Sequence, residues 1–198
     1  MIESPFSERL RERRDPGGET ASVLRFLVVV AAIFLCFVIL FTEIFVGVRV
    51  EQSSMEPTLY SGDYVFVNRT VKPEHGDIIV IYSERGSDSK YVIKRLIGLP
   101  GDTVYAEEGV LYRIDAGTTE PYRVEEPYLV EDWNETLEPT TVPENEVYVM
   151  GDHRSVSNDS RPSHGSLGTL SLDGLLGVVT DFSLRHKDFF TGLFGIFS

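Results

Sequence analysis

Between Phe26 and Phe41 the chain reads "FLVVVAAIFLCFVILF", with no charged, hydroxyl or amide side chain. Thr42 and Glu43 interrupt, and "IFVGV" carries the apolar character to Val48. As a helix at about 1.5 Å per residue, positions 26–48 would reach roughly 34 Å, enough to cross a hydrocarbon core of about 30 Å. A helix also pairs its own backbone groups, which lipid cannot do for it. Glu43 would then lie near the far headgroup region, where a carboxylate is tolerated. The run exceeds the roughly 7–15 apolar residues of a cleavable signal peptide, and no clear small-x-small site follows it. It is therefore expected to be an uncleaved anchor. Arg9, Arg11, Arg13, Arg14 and Arg25 all precede or open it. The positive-inside rule puts the N-terminus in the cytoplasm and everything after Val48 outside. The expected layout is a flexible cytoplasmic tail over 1–22, a transmembrane anchor over 23–48, and an extracytoplasmic domain over 49–198.

The outer part reads as strands. "SGDYVFVN", "HGDIIVIY", "KYVIKRLIGLPGDTVY", "GVLYRI", "PENEVYVMGD" and "GLLGVVTDFSL" are short runs rich in aromatic and β-branched residues. Gly, Pro, Asp and Asn separate them, as expected of a mainly β domain. Residues 113–146 carry less strand signal and read as long loops or a small inserted β subdomain. The tail "DFFTGLFGIFS" is too short to span a bilayer. Its Phe190, Leu193, Phe194 and Phe197 would either enter the lipid interface or pack on the domain.

Charge and cysteine remove several function classes. The net charge is −13. Acids and arginines balance in residues 1–25, so the excess falls on the remainder, which is the wrong sign for a nucleic-acid partner. Cys36 is the only cysteine, so no intrachain disulfide is possible. The histidines are scattered, and no Cys/His spacing fits zinc. No structural metal is expected.

Three stretches carry candidate chemistry. The first is "EQSSMEPT", residues 51–58, which presents a serine hydroxyl soon after the anchor. Serine needs a base to become a nucleophile. The second is "YVIKRLIG", residues 91–98. On a strand Lys94 shares a face with Val92 and Leu96. Desolvation there would lower its pKa and let the neutral amine act as a base. A lysine whose stem lies on the sheet while its ammonium reaches water is the alternative. The third is "MGDHRSVSNDSR", residues 150–161, where acids and arginines alternate. It can form a polar loop locked by its own ion pairs, used here or not to hold a site in place.

In that order behind one anchor, "SMEPT", "KRLIGLPGD" and "GDHRSVSNDSR" resemble bacterial type I signal peptidases, over roughly residues 20–182. "HGDIIV" resembles that family's Gly-Asp strand. The resemblance implies a signal-peptidase-like, mainly β domain with an N-terminal transmembrane helix, held in the cell membrane by a single pass. It implies a serine endopeptidase with a Ser–Lys dyad and no cofactor. By position, Ser54 matches the nucleophile and Lys94 the general base. Ser157 matches a serine that orients the lysine. Asp152, Arg154, Asp159 and Arg161 match supporting charged residues. The implied partners are signal-peptide-bearing preproteins with small residues at −1 and −3, the lipid bilayer, and as a further candidate the secretion translocon.

The chain departs from that pattern in places. Gln52 stands where the family often has serine or glycine; its amide could donate to the oxyanion, or the Ser54 backbone N–H could serve alone. His153 replaces an asparagine, and "PSHGSLG" replaces an aromatic-Gly-Pro-Val-Pro stretch. Two other readings stay open. One is a catalytically impaired, membrane-tethered binding module; the other is a processing protease of narrow specificity. Self-cleaving repressors also use Ser–Lys chemistry, but they need a DNA-binding module, and this chain has an anchor and an acidic domain.

Overall fold

The computed structural model describes residues 16–85, 91–163 and 166–195. Most of the expected tail (1–15) and Phe197 lie outside the described residues. Two compact units divide at Glu43/Ile44.

The first unit is built on helix α1, Pro16–Ile44. Proline suits the first turn of a helix, where an N–H would lack a partner anyway. Pro16–Ser22 thus belong to the helix rather than to a flexible tail. From Thr20 to Ile44 the helix is long and apolar enough to cross a membrane, and none of that segment is buried. An apolar surface so fully exposed suits lipid better than a protein core.

The helix stops earlier than the apolar pattern does. Thr42 bonds back to the Ile39 carbonyl at 2.9 Å, and Phe45–Arg49 continues as strand β1. "FVGVR" alternates, and it pairs antiparallel with β2, Tyr64–Asn68. Phe45, Val46 and Val48, read from sequence as part of the anchor, therefore belong to a sheet.

The remaining strands are β3 Ile78–Tyr82, β4 Tyr91–Gly98, β5 Thr103–Glu107, β6 Val110–Ile114, β7 Tyr122–Arg123, β8 Leu137–Thr141, β9 Glu146–Met150, β10 Leu170–Ser171 and β11 Leu175–Val179. They form a seven-stranded sheet in the order β1-β2-β11-β3-β4-β9-β10 and a four-stranded sheet in the order β7-β6-β5-β8. Every pairing is antiparallel. The second sheet spans Thr103 to Thr141; within 113–146, read from sequence as long loops or a small inserted β subdomain, lie the end of β6, the short β7 and β8, joined by loops.

Strand β3 reads as unbroken apolar sequence because it is covered on both faces. Ile79 and Ile81 enter one core cluster, Ile78 and Val80 another. Strand β4 links the two sheets. It pairs with β3 along Tyr91–Arg95 and with β9 from Arg95 onward, with an irregularity between Leu96 and Gly98. At that point Leu96 stays in the first core, while Ile97 packs with Val104, Leu111 and Leu137 of the second sheet. Asp102 fastens the turn between them by accepting from the Leu99 and Ala116 amides, both at 2.8 Å.

After β11, Thr180 caps helix α2, Asp181–Arg185, and helix α3 follows at Lys187–Phe194. Phe190 and Phe194 of α3 pack on Phe66, and Phe194 on Tyr64 as well. Thr191 accepts the Tyr64 amide at 2.9 Å. This half of the aromatic tail thus lies on the domain, while Phe189 and Leu193 face outward.

Gly177 sits at a register shift in β11 with φ +153°, and a methyl group there would collide with the Asn68 carbonyl. Gly177→Ala is expected to destabilise the outer domain by about 2–4 kcal/mol, from backbone strain plus overpacking. A thermal melt of the full chain in detergent would check this; an unchanged midpoint would refute the account.

Candidate active site

The alternation of β4 puts Val92, Lys94 and Leu96 on its buried side. Lys94 is only 2% exposed. Its Nζ donates to Ser54 Oγ at 2.6 Å. Ser54 is itself nearly buried, in the compact turn that follows β1. Within that turn Glu56 N–H donates to the Ser53 carbonyl at 3.1 Å and Leu59 N–H to Met55 at 2.9 Å. Met55 and Leu59 are sunk in the core, so the turn is held from beneath. The Glu56–Pro57 peptide is cis.

Burial dominates the electrostatics of Lys94. It pushes the amine from its ordinary 10.5 down to about 8, against an upward pull from Asp159 and Asp152 and with a smaller downward push from Arg161. An ammonium with little water around it is costly, so the neutral amine becomes accessible near physiological pH.

The loop after β9 backs onto the serine. The His153 amide donates to the Ser54 carbonyl at 3.1 Å. Gly151 has no room for a side chain, because a methyl there would strike both the Ser157 hydroxyl and the Ser54 carbonyl. Asp159 accepts from the Gly151 amide at 3.0 Å and from Arg161 Nε at 2.9 Å. Arg161 also donates to the Arg154 carbonyl at 2.7 Å, and Arg154 to the Gly151 carbonyl at 3.1 Å. Asp152 instead turns toward Arg95, which grips it through two nitrogens at 2.8 and 2.6 Å. The Thr58 hydroxyl donates to the same carboxylate at 2.5 Å.

Sequence reasoning missed the second half of this lattice. Glu126 pairs with Arg154, and Glu135 with Arg161 at 2.7 Å. Trp133 lies under both guanidinium groups, at 4.7 and 5.8 Å. Tyr128 lies 3.7 Å from the Arg95 guanidinium. Glu131 accepts from the Ser155 amide at 3.1 Å, which holds its carboxyl below the usual range. All come from the weakly patterned 113–146 segment. The available signal was that segment's acids and lone tryptophan, facing a loop rich in arginine.

Two expected residues are placed less simply. Ser157, matched to a serine that orients the lysine, is wholly buried beside Gly151, and among the described residues its hydroxyl has no hydrogen-bond partner, Lys94 included. Gln52 lines a cavity of about 200 Å³ together with Ser54, Met55, Val80, Val92 and Ile93. That pocket, lined by Arg49 and Glu51 as well as by apolar side chains, opens beside the hydroxyl.

A buried lysine hydrogen-bonded to a serine beside a cavity is suited to nucleophilic chemistry on a substrate carbonyl. The description "Signal peptidase, peptidase S26" matches residues 21–182. This chain belongs to that family. It is a serine endopeptidase of the signal peptidase type. Signal peptidase I T of Bacillus subtilis (strain 168) is 38% identical over 138 residues, covering 65% of this chain and 68% of that one. Signal peptidase I S of the same organism is 41% identical over 135 residues, covering 62% and 69%. Signal peptidase I of Streptococcus pneumoniae serotype 4 is 33% identical over 151 residues, covering 58% and 72%. A crystal structure of a signal peptidase I from Enterococcus faecalis V583 aligns with a TM-score of 0.46 at 30% identity, covering 56% of this chain and 98% of that one.

Among the described residues one other cluster has metal-like composition. His75, Asp102 and Asp115 bring ligand atoms within 4.8 Å of one another. Arg113 already neutralises them, donating to Asp115 at 2.8 Å and standing 4.0 Å from Asp102. A guanidinium there leaves little attraction for a cation, and the cluster reads as an ion-pair network.

Keeping Lys94 buried has a thermodynamic consequence. The unfolded chain holds that proton up to about pH 10.5, the folded chain only to about 8. Between these values the unfolded state binds more protons, so stability rises with pH; below 8 the full cost, roughly 3 kcal/mol, remains. Lys94→Met removes that cost and a hydrogen bond worth about 1 kcal/mol. The variant is expected to be more stable than wild type at pH 7 by about 1–3 kcal/mol, with the gain fading as pH approaches 10. Denaturant melts at pH 7 and pH 10 would check it, and a loss of stability at pH 7 would count against it.

Proposed function

We propose that this chain is a membrane-tethered endopeptidase that removes N-terminal signal peptides from translocated preproteins by a Ser54–Lys94 dyad. The observation that carries the reading is the 2.6 Å contact between Lys94 Nζ and Ser54 Oγ, made where the amine is almost wholly desolvated. Neutral Lys94 takes the hydroxyl proton as Ser54 Oγ attacks the scissile carbonyl. The Ser54 amide, with Gln52 beside it in the cavity, donates to the developing oxyanion. Protonated Lys94 then gives its proton to the leaving amine; neutral again, the Lys94 amine deprotonates a water that attacks the acyl-enzyme, and it returns that proton to Ser54 Oγ as the acid leaves. Ser157 is assigned as a positioning residue for Lys94 from the family pattern; it lies buried beside Gly151 without a hydrogen bond to the lysine in this structure. Asp152, Arg154, Asp159 and Arg161 hold the backing loop against Ser54.

The relatives' names and the small cavity support signal peptides with small residues at −1 and −3 as substrates. The apolar helix supports a single-pass anchor, with residues before it cytoplasmic and the catalytic domain outside. In the chain Ser54 follows only ten residues after Ile44, which keeps the nucleophile within reach of a substrate leaving the membrane. The bilayer, met through α1 and the outward Phe189 and Leu193, and the secretion translocon are the partners this reading calls for.

The test is cleavage of a preprotein carrying an Ala-x-Ala site by the full chain in detergent. Wild type is expected to cut at that site, and Ser54→Ala and Lys94→Ala to lose at least about 1,000-fold in kcat/KM, as expected when the unit of nucleophile and base is broken. A folded but inert wild type would return attention to Gln52, and to a binding module or a protease of narrow specificity. The pH profile gives a second check. Because the base must be neutral, activity is expected to rise through pH 7 with half-maximum near 8. A profile already flat from pH 7 would indicate a histidine base, with His153 the candidate.

A further inference from the structure

The match to the signal peptidase family ends at residue 182. Helix α3 lies beyond it, yet reaches back to the turn that carries Ser54. Lys187 Nζ, at the start of α3, donates to the Thr58 carbonyl at 2.9 Å. It also pairs with Asp63 at 3.2 Å and stands 5.0 Å from the Tyr60 ring. Asp63 in turn accepts the Tyr60 amide at 2.9 Å. One ammonium therefore ties together three points at the downstream end of the turn.

Thr58 is held from both sides. Its hydroxyl goes to Asp152 on the backing loop, and its carbonyl to Lys187 on α3. Four residues upstream is Ser54, joined to Thr58 through a turn closed by its own backbone hydrogen bonds. A shift of Thr58 is transmitted to the serine hydroxyl. The other end of the brace is firm too, since Phe190, Phe194 and Thr191 fix α3 to β2. An isolated surface ion pair contributes little. Lys187 differs in that its side chain is four-fifths covered, its ammonium has three partners, and it sits on a helix anchored by aromatic packing.

We infer that Lys187 is a positioning residue for the nucleophile, and that helix α3 braces the catalytic turn from outside the part of the chain shared with the family. The inference rests on the reading of Ser54 as nucleophile. A misplacement of the hydroxyl by a fraction of an ångström lowers the rate of attack more than it lowers peptide binding. Lys187→Met keeps most of the stem and removes the charge and the donors; Lys187→Arg keeps both.

The experiment is steady-state cleavage of an Ala-x-Ala peptide by the full chain in detergent, across pH 6.5–9.5. Lys187→Met is expected to lower kcat about tenfold, leave KM within twofold and leave the alkaline midpoint in place. Lys187→Arg is expected to recover at least half of the wild-type kcat. Wild-type kcat in Lys187→Met, or equal impairment of the Arg and Met variants, would overturn the inference. If Lys187→Met does not fold, Asp63→Asn loosens the same tie from its other side; a fall in kcat at constant KM supports the brace and an unchanged kcat overturns it. Ser54→Ala runs in parallel. If it remains active, the nucleophile assignment has failed; if it is silent while Lys187→Met behaves as wild type, only the brace has failed.

Discussion

A lysine amine is held out of water against a serine hydroxyl, and the charged lattice of the β domain is arranged around that contact. An ammonium in so dry a place is unfavourable by several kcal/mol unless paired. No carboxylate within hydrogen-bond range of Lys94 Nζ compensates for it. Asp152 and Asp159 pull its pKa upward, but each is already claimed, Asp152 by Arg95 and Asp159 by Arg161. The acids are near enough to moderate the amine and too well occupied to capture it. What remains for Lys94 is the neutral Ser54 hydroxyl.

That arrangement requires a rigid surround, because loose arginines and aspartates would rearrange to neutralise the lysine. The loop after β9 supplies part of the rigidity through Asp159 and Arg161, both wholly buried and each bonded to backbone as well as to the other. The rest comes from the small sheet's long loop, which brings Glu126, Glu135 and Trp133 against the outer faces of Arg154 and Arg161. Buried guanidinium groups are tolerated when their donors are matched and an aromatic face covers the remainder. The acidic composition thus has a local use, since two of its glutamates close the lattice around the site.

The serine side is fixed by different means. Met55 and Leu59 sink the turn into the core, Gly151 admits the backing loop to van der Waals distance, and Thr58 is tied at both its side chain and its carbonyl. Apolar packing sets the depth of the turn, while hydrogen bonds to charged groups set its lateral position. A serine on a loop can therefore be as well placed as a lysine on a strand.

Much of this was legible in the sequence. The apolar helix, the strand runs and the placing of Lys94 on one face with Val92 and Leu96 follow from local periodicity, which the backbone imposes on neighbouring side chains whatever the rest of the chain does. The end of the helix at Ile44 was not legible, because "FVGVR" is as apolar as the span before it and only pairing with β2 makes it a strand. The partners of the charged residues were equally hidden. Glu126 meets Arg154 across 28 residues, Thr58 meets Asp152 across 94, and Lys187 meets Thr58 across 129. Such contacts leave no local pattern, since any acid could in principle pair with any arginine until the fold brings two together. By itself, then, the sequence determined the long apolar helix, the strands and which residue types could do the chemistry. The tertiary structure decided which charges meet, how dry the lysine is and what holds the serine still, because long-range packing alone sets distance and solvation.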